Sequence, residues 1–118
     1  HLVFFVPDVR EVPLELLGPT IENDPAFPER INVNVATYVH DRLKLRTFER
    51  GSGETLACGT GACASAVAAI ATKRAQSPVT VDMPGGSLTI AWEPGKPIRM
   101  RGAATHVFTG EIDLEGLV

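Results

Sequence analysis

The chain predicts an α+β domain: a curved, mainly antiparallel or mixed β-sheet wrapped around one central buried α-helix. Three observations carry that expectation. Residues 61–74 are small or apolar on every side up to Lys73-Arg74, as in a helix buried all round. Residues 31–39 and 42–49 alternate with period two, and residues 79–83 and 87–92 repeat the strand pattern. The joints between these runs, His40-Asp41 and Pro84-Gly85-Gly86, are hairpin chemistry.

Taken in order, residues 2–6 (Leu-Val-Phe-Phe-Val) read as a buried strand. Residues 12–17 suit a short helix, with Pro13 in its first turn and Gly18-Pro19 as its stop. Two prolines and several turn formers make residues 22–30 a loop. In the next strand Ile31, Val33, Val35, Thr37 and Val39 share one face, and Asn32, Asn34, Ala36 and Tyr38 share the other. Its partner sets Leu43, Leu45 and Thr47 against Lys44, Arg46 and Phe48. Residues 50–59 form a loop with three glycines. Thr60 is placed to cap the helix that follows, and Lys73-Arg74 suit its C-terminal end. After the second hairpin, residues 98–101 and 105–112 read as strands, the latter split near Gly110.

With 118 residues the chain fits one domain and can bury a real core. At 44% hydrophobic and 21% charged residues it is of ordinary globular composition. A net charge of -3 without a basic patch argues against nucleic acid as a partner. No stretch has the length and apolar character of a membrane span, and no signal peptide is visible. Cys58 and Cys63 are the two cysteines. Residues five apart on a helix rise about 7.5 Å, beyond disulfide reach, so both read as reduced thiols and the compartment as cytoplasmic. The histidines, His1, His40 and His106, show no zinc-ligand spacing to the cysteines, and no metal is expected. The chain enters an apolar strand directly after His1, with no Met, which reads as a piece beginning inside a larger protein.

Residues 49–63 carry the chemistry. Cys58 stands ahead of Gly59-Thr60-Gly61 at the start of the helix. There the dipole and free N–H groups favour a thiolate, and glycines let a ligand approach the backbone. The same N–H groups of Gly59 and Thr60 can hold a carboxylate. Core filler is the alternative for Cys58, and it is the preferred reading for Cys63. Glu49 and Arg50 are either solvated charges or a substrate clamp, the guanidinium for a carboxylate and the glutamate for an ammonium. Glu54 and Thr55 read as turn residues, with the Thr55 hydroxyl able to brace the loop. Asn32 and Asn34, unusual on a strand, mark either a ligand-facing surface or a solvated one. His40 reads as a solvated turn residue and His106 as structural within a strand.

The run Glu49-Arg50-Gly51-Ser52-Gly53-Glu54-Thr55-Leu56-Ala57-Cys58-Gly59-Thr60-Gly61-Ala62-Cys63-Ala64 closely resembles the C-terminal active-site motif of the diaminopimelate epimerase family. Residues 31–35 (Ile-Asn-Val-Asn-Val) and 105–112 (Thr-His-Val-Phe-Thr-Gly-Glu-Ile) also resemble that family, so the likeness spans nearly the whole chain. The resemblance implies the second of two similar domains, residues 1–118, with the N-terminal domain absent. It implies interconversion of LL- and meso-diaminopimelate, a lysine and peptidoglycan precursor, without pyridoxal phosphate or any other cofactor. Cys58 would be one of two catalytic cysteines, the other belonging to the missing domain. Glu49 and His1 would tune the thiols. Asn32, Glu49, Arg50, Gly59 and Thr60 would contact the amino-acid substrate. A homodimer is implied too, although Phe108 stands where some members carry a dimer-contact tyrosine. Two alternatives stay open: a related amino-acid racemase or isomerase of the same superfamily, and a non-catalytic carboxylate-binding module when isolated. The isolated 118 residues are expected to be inactive.

Overall fold

The computed structural model describes residues 1–117. Strand β1 (Leu2–Phe5) leads through a 3-10 turn (Val9–Glu11) into helix α1 (Leu14–Glu22). Strands β2 (Val33–Val39), β3 (Arg42–Glu49) and β4 (Gly53–Thr55) precede helix α2 (Gly59–Ala71). Strands β5 (Val79–Met83), β6 (Gly86–Ala91) and β7 (Arg99–Gly102) follow, with a 3-10 turn at Glu115–Leu117. The sheet runs β1-β2-β3-β5-β6-β7, with β4 paired to β3. It is mixed: β1–β2 and β3–β5 are parallel, and the other pairs are antiparallel.

The two parallel pairs determine where the helices go. Both crossovers step the same way across the sheet, but β2 and β3 are antiparallel, so the crossovers start from strands of opposite direction. Right-handed connections then put α1 and α2 on opposite faces. Burial agrees. Ala62, Ala66 and Ala69 of α2 pack with Ala36, Leu43, Leu45, Val79, Val81 and Ile90. Leu14 of α1 packs with Val9, Val33, Val35 and Phe48 on the other face. The α+β class and mixed sheet match expectation; the second core, under α1, was not foreseen.

Several local expectations need correction. Helix α1 does not stop at Gly18-Pro19 but runs through to Glu22. Gly18 is buried against the Phe48 ring, with which a Cβ would collide, so its role is close packing rather than termination. Helix α2 is buried on one side only. Gly61, Ala62, Ser65, Ala66 and Ala69 are buried, while Cys63, Ala64, Val67 and Ala68 are partly exposed, because the strands cover one flank of the helix. The glycine-rich loop contains a short strand, β4, held to β3 through Thr47–Thr55, Phe48–Glu54 and Glu49–Gly53. Residues 105–112 form no strand. They leave the sheet at its β7 edge with no partner ladder, and Val107 and Phe108 are exposed. His106 therefore lies in an exposed segment, its Nε2 3.0 Å from Thr109 Oγ1.

The β2–β3 hairpin turns at His40-Asp41, both with positive φ (52° and 60°), the geometry that suits a two-residue hairpin. Across the β3–β5 junction, Asp82 accepts hydrogen bonds from Arg42, Lys44 and Ser87. The Arg42 guanidinium, against the opposing cost of partial burial, holds the Asp82 carboxyl well below the usual carboxylate range. No helix among the described residues is long and apolar enough to cross a membrane.

Candidate active site

The site forms where the start of α2 meets the ends of β2 and β3. Cys58, rather than Thr60, is the helix cap. Its backbone is extended (φ -144°, ψ 106°) and its Sγ accepts the Gly61 N–H at 3.3 Å, as a serine hydroxyl would at an N-cap. The Cys58 N–H points at Met83 Sδ, 3.5 Å away. Cys58 is only 7% exposed, so the sulfur is a sheltered atom at a helix start. It lines neither the 640 Å³ cleft between Asp8, His40, Lys44 and Asp82 nor the 380 Å³ apolar cleft beside α1. The N–H groups of Gly59 and Thr60 lie in the first helical turn, which has no intrahelical acceptors.

Glycine at 61 is required by close approach. A Cβ there would stand 2.6 Å from Asn34 Oδ1 and 3.2 Å from both Cys58 Sγ and Thr47 Oγ1. The sulfur, the Asn34 amide and the Thr47 hydroxyl are thus packed around one bare backbone atom. Thr60, freed from capping, places its Oγ1 3.0 Å from His1 Nε2 and 3.6 Å from Cys58 Sγ.

The other expected residues gather at the same end of the sheet. Asn32 Oδ1 accepts the Arg50 N–H at 2.7 Å, and its Nδ2 lies 3.4 Å from His1 Nε2. Glu49 ends β3 and is half-buried, and the turn that follows carries Arg50. The Arg50 guanidinium donates to the Glu29 carbonyl at 3.0 Å. Glu54, by contrast, is engaged with Arg46 at 2.7 Å and belongs to the structure. His1, Asn32, Thr60 and Cys58 therefore form a connected set, with Glu49, Arg50 and Gly59 on the adjoining segments.

Sequence reasoning missed the braces beneath this set. Asn34 is fully buried, not solvated, and joins Thr47, Leu2 and His1. Its lone signal was an amide in the middle of an apolar strand. Glu22 is buried at the C-terminal end of α1, where a negative charge is disfavoured by the helix dipole. The Gly51 N–H (2.9 Å) and Arg30 (3.4 Å) compensate it, which pins the turn after Glu49. The Thr55 hydroxyl, expected to brace the loop, is buried with no hydrogen-bond partner. Both thiols are free. Cys63 is half-buried against the α2 core, and its thiol is pushed up chiefly by burial and secondarily by Cys58. Among the described residues no group of three or more His, Cys, Asp or Glu could hold a metal.

The fold itself is shared with solved proteins. A phenazine biosynthesis protein of the PhzF family from Enterococcus faecalis superposes with a TM-score of 0.61 at 14% identity, covering 78% of this chain and 33% of that one. A putative phenazine biosynthesis PhzC/PhzF protein from Clostridium difficile gives 0.58 at 18% identity, with the same shares covered. Fold and site together define a mixed-sheet domain in which a thiol caps the start of a helix. Sequence comparison narrows this class. A family model described as diaminopimelate epimerase matches residues 1–107, and the chain belongs to that family. The diaminopimelate epimerases of Sphingopyxis alaskensis and Rhizorhabdus wittichii are 61% and 63% identical over 96% and 97% of this chain. The chain spans 42% of the length of each.

Proposed function

We propose that residues 1–118 are the C-terminal domain of an enzyme that interconverts LL- and meso-diaminopimelate by two-base proton transfer at the α-carbon. The observation that carries the reading is Cys58 as cap of α2, with the Gly61 N–H and Thr60 hydroxyl facing its sulfur. As thiolate, Cys58 takes the α-proton from one face of the substrate. A second thiol, supplied by the preceding domain, delivers a proton to the opposite face, so one proton is lost and one gained and the configuration inverts. Negative charge builds on the substrate carboxylate during this step. The open N–H groups of Gly59 and Thr60 answer it, because fixed dipoles aimed at developing charge lower the barrier.

Arg50 serves the substrate carboxylate and Glu49 an ammonium, while Asn32 meets the distal end of the side chain. His1 and Glu49 adjust the proton-transfer groups. The reaction as proposed needs neither pyridoxal phosphate nor a metal, the setting is cytoplasmic, and the working unit is a homodimer. Exchange of Cys58 for Ala in the complete enzyme should lower turnover by at least ~100-fold, the usual worth of a positioned acid or base. Unchanged epimerisation, followed by α-proton exchange in heavy water, would refute the role of the thiol.

The likeness to phenazine biosynthesis proteins favours one second reading, an isomerase of the same fold acting on another substrate. A panel of amino acids in the same exchange assay separates the two. Exchange confined to diaminopimelate supports the first reading, and preference for another substrate supports the second.

A further inference from the structure

We infer that Asn34, held by Thr47, is a positioning residue that locks the His1 imidazole as its Nε2–H tautomer and so aims the Thr60 hydroxyl at Cys58 Sγ. The inference deepens the reading of Cys58 as a proton-transfer group and rests on it. Its starting point is a polar side chain with no solvent exposure near the start of β2. A buried amide must satisfy its own groups, and Asn34 does so in one orientation only. The Leu2 carbonyl, 3.0 Å away, can only accept, so the atom facing it is Nδ2. The oxygen then accepts from the Thr47 hydroxyl at 2.8 Å.

That orientation decides the histidine. Nδ2 also faces His1 Nδ1 at 3.1 Å, and a donor there requires a bare, accepting nitrogen. A neutral imidazole with unprotonated Nδ1 carries its proton on Nε2. Nε2–H donates to Thr60 Oγ1 at 3.0 Å. With that lone pair engaged, the Thr60 hydroxyl proton is free to point at Cys58 Sγ, 3.6 Å away. The Asn32 amide nitrogen also faces the ring, at 3.4 Å from Nε2, but a neutral imidazole has one accepting nitrogen, and the shorter contact, Asn34 to Nδ1 at 3.1 Å, takes it. The chain of polarity runs from a backbone carbonyl to the sulfur through three side chains, and only Asn34 is buried enough to set its direction.

The complete 15N-labelled enzyme gives the test. Long-range 1H–15N spectra of neutral His1 should show Nε2 protonated in the wild type. Asn34→Asp keeps the shape and the acceptor for Thr47 but replaces the donor with a carboxylate. It should move the proton to Nδ1 and reduce kcat roughly tenfold, about one hydrogen bond of ~1.4 kcal/mol, with KM unchanged. Thr47→Ser should leave both readouts at wild-type values, and Thr47→Val should shift the tautomer partway. An Nδ1–H tautomer in the wild type overturns the inference, even if Asn34→Asp fails to fold. An unchanged tautomer or unchanged kcat in a folded Asn34→Asp enzyme also overturns it. Retained turnover in Cys58→Ala sinks the proposed chemistry instead, and the wild-type tautomer is still read independently.

Discussion

The two ends of helix α2 are finished in opposite ways. At the C-terminal end the chain closes on itself: the Lys73 N–H bonds the Ile70 carbonyl and the Arg74 N–H bonds the Ala69 carbonyl. This is a Schellman closure, with Lys73 in the left-handed region (φ 61°) where glycine is usual. Arg74 then lies over the Phe5 ring at 4.1 Å. At the N-terminal end a sulfur replaces the customary hydroxyl, and it takes one N–H while those of Gly59 and Thr60 stay open. One end is sealed for stability; the other is left electrostatically unfinished, which is what an anion-handling site needs.

Four measurements break or sharpen that contrast. Gly61→Ala at the open end should have the largest effect. Its Cβ must displace Asn34 or the sulfur, costing about 2 kcal/mol in thermal denaturation and abolishing turnover together. A stable, active variant would show that the packing around the sulfur is slack.

Next comes thiol chemistry. Small alkylating reagents near neutral pH should modify Cys58 about tenfold faster than Cys63, although Cys58 is the more buried. Equal or reversed rates would remove the electrostatic difference between the helix start and its interior. At the sealed end, Lys73→Gly relieves a left-handed side chain and should raise stability by about 1 kcal/mol with turnover unchanged. The smallest effect belongs to Arg74→Ala. Loss of the contact with Phe5 should cost about 0.5 kcal/mol, seen as a slightly lower melting temperature, with kcat unaltered.

Much of the plan was legible because it repeats. The β2–β3 hairpin and the β5–β6 hairpin follow from alternation and turn residues, and α2 follows from its run of alanines. The thiol at the helix start was readable too, since Cys58 precedes Gly-Thr-Gly. Where the chain misled, a residue had a second use. Gly18-Pro19 looks like a stop in isolation, yet packing against Phe48 makes glycine the residue that fits inside α1. Residues 105–112 alternate like a strand but have no neighbour among the described residues to complete a ladder.

The amino-acid order alone determined the two hairpins, helix α2, the class of fold and the placing of a cysteine beside helix-starting glycines, because period, turn chemistry and dipole act within a few residues. Only the tertiary structure decided that α1 and α2 lie on opposite faces and that sulfur, not the Thr60 hydroxyl, caps the helix. It also decided that Asn34 is a buried brace between Thr47 and His1. The last of these depends on Thr47 meeting Asn34 across 13 residues, and the contact of His1 with Thr60 spans 59, separations that no local pattern encodes.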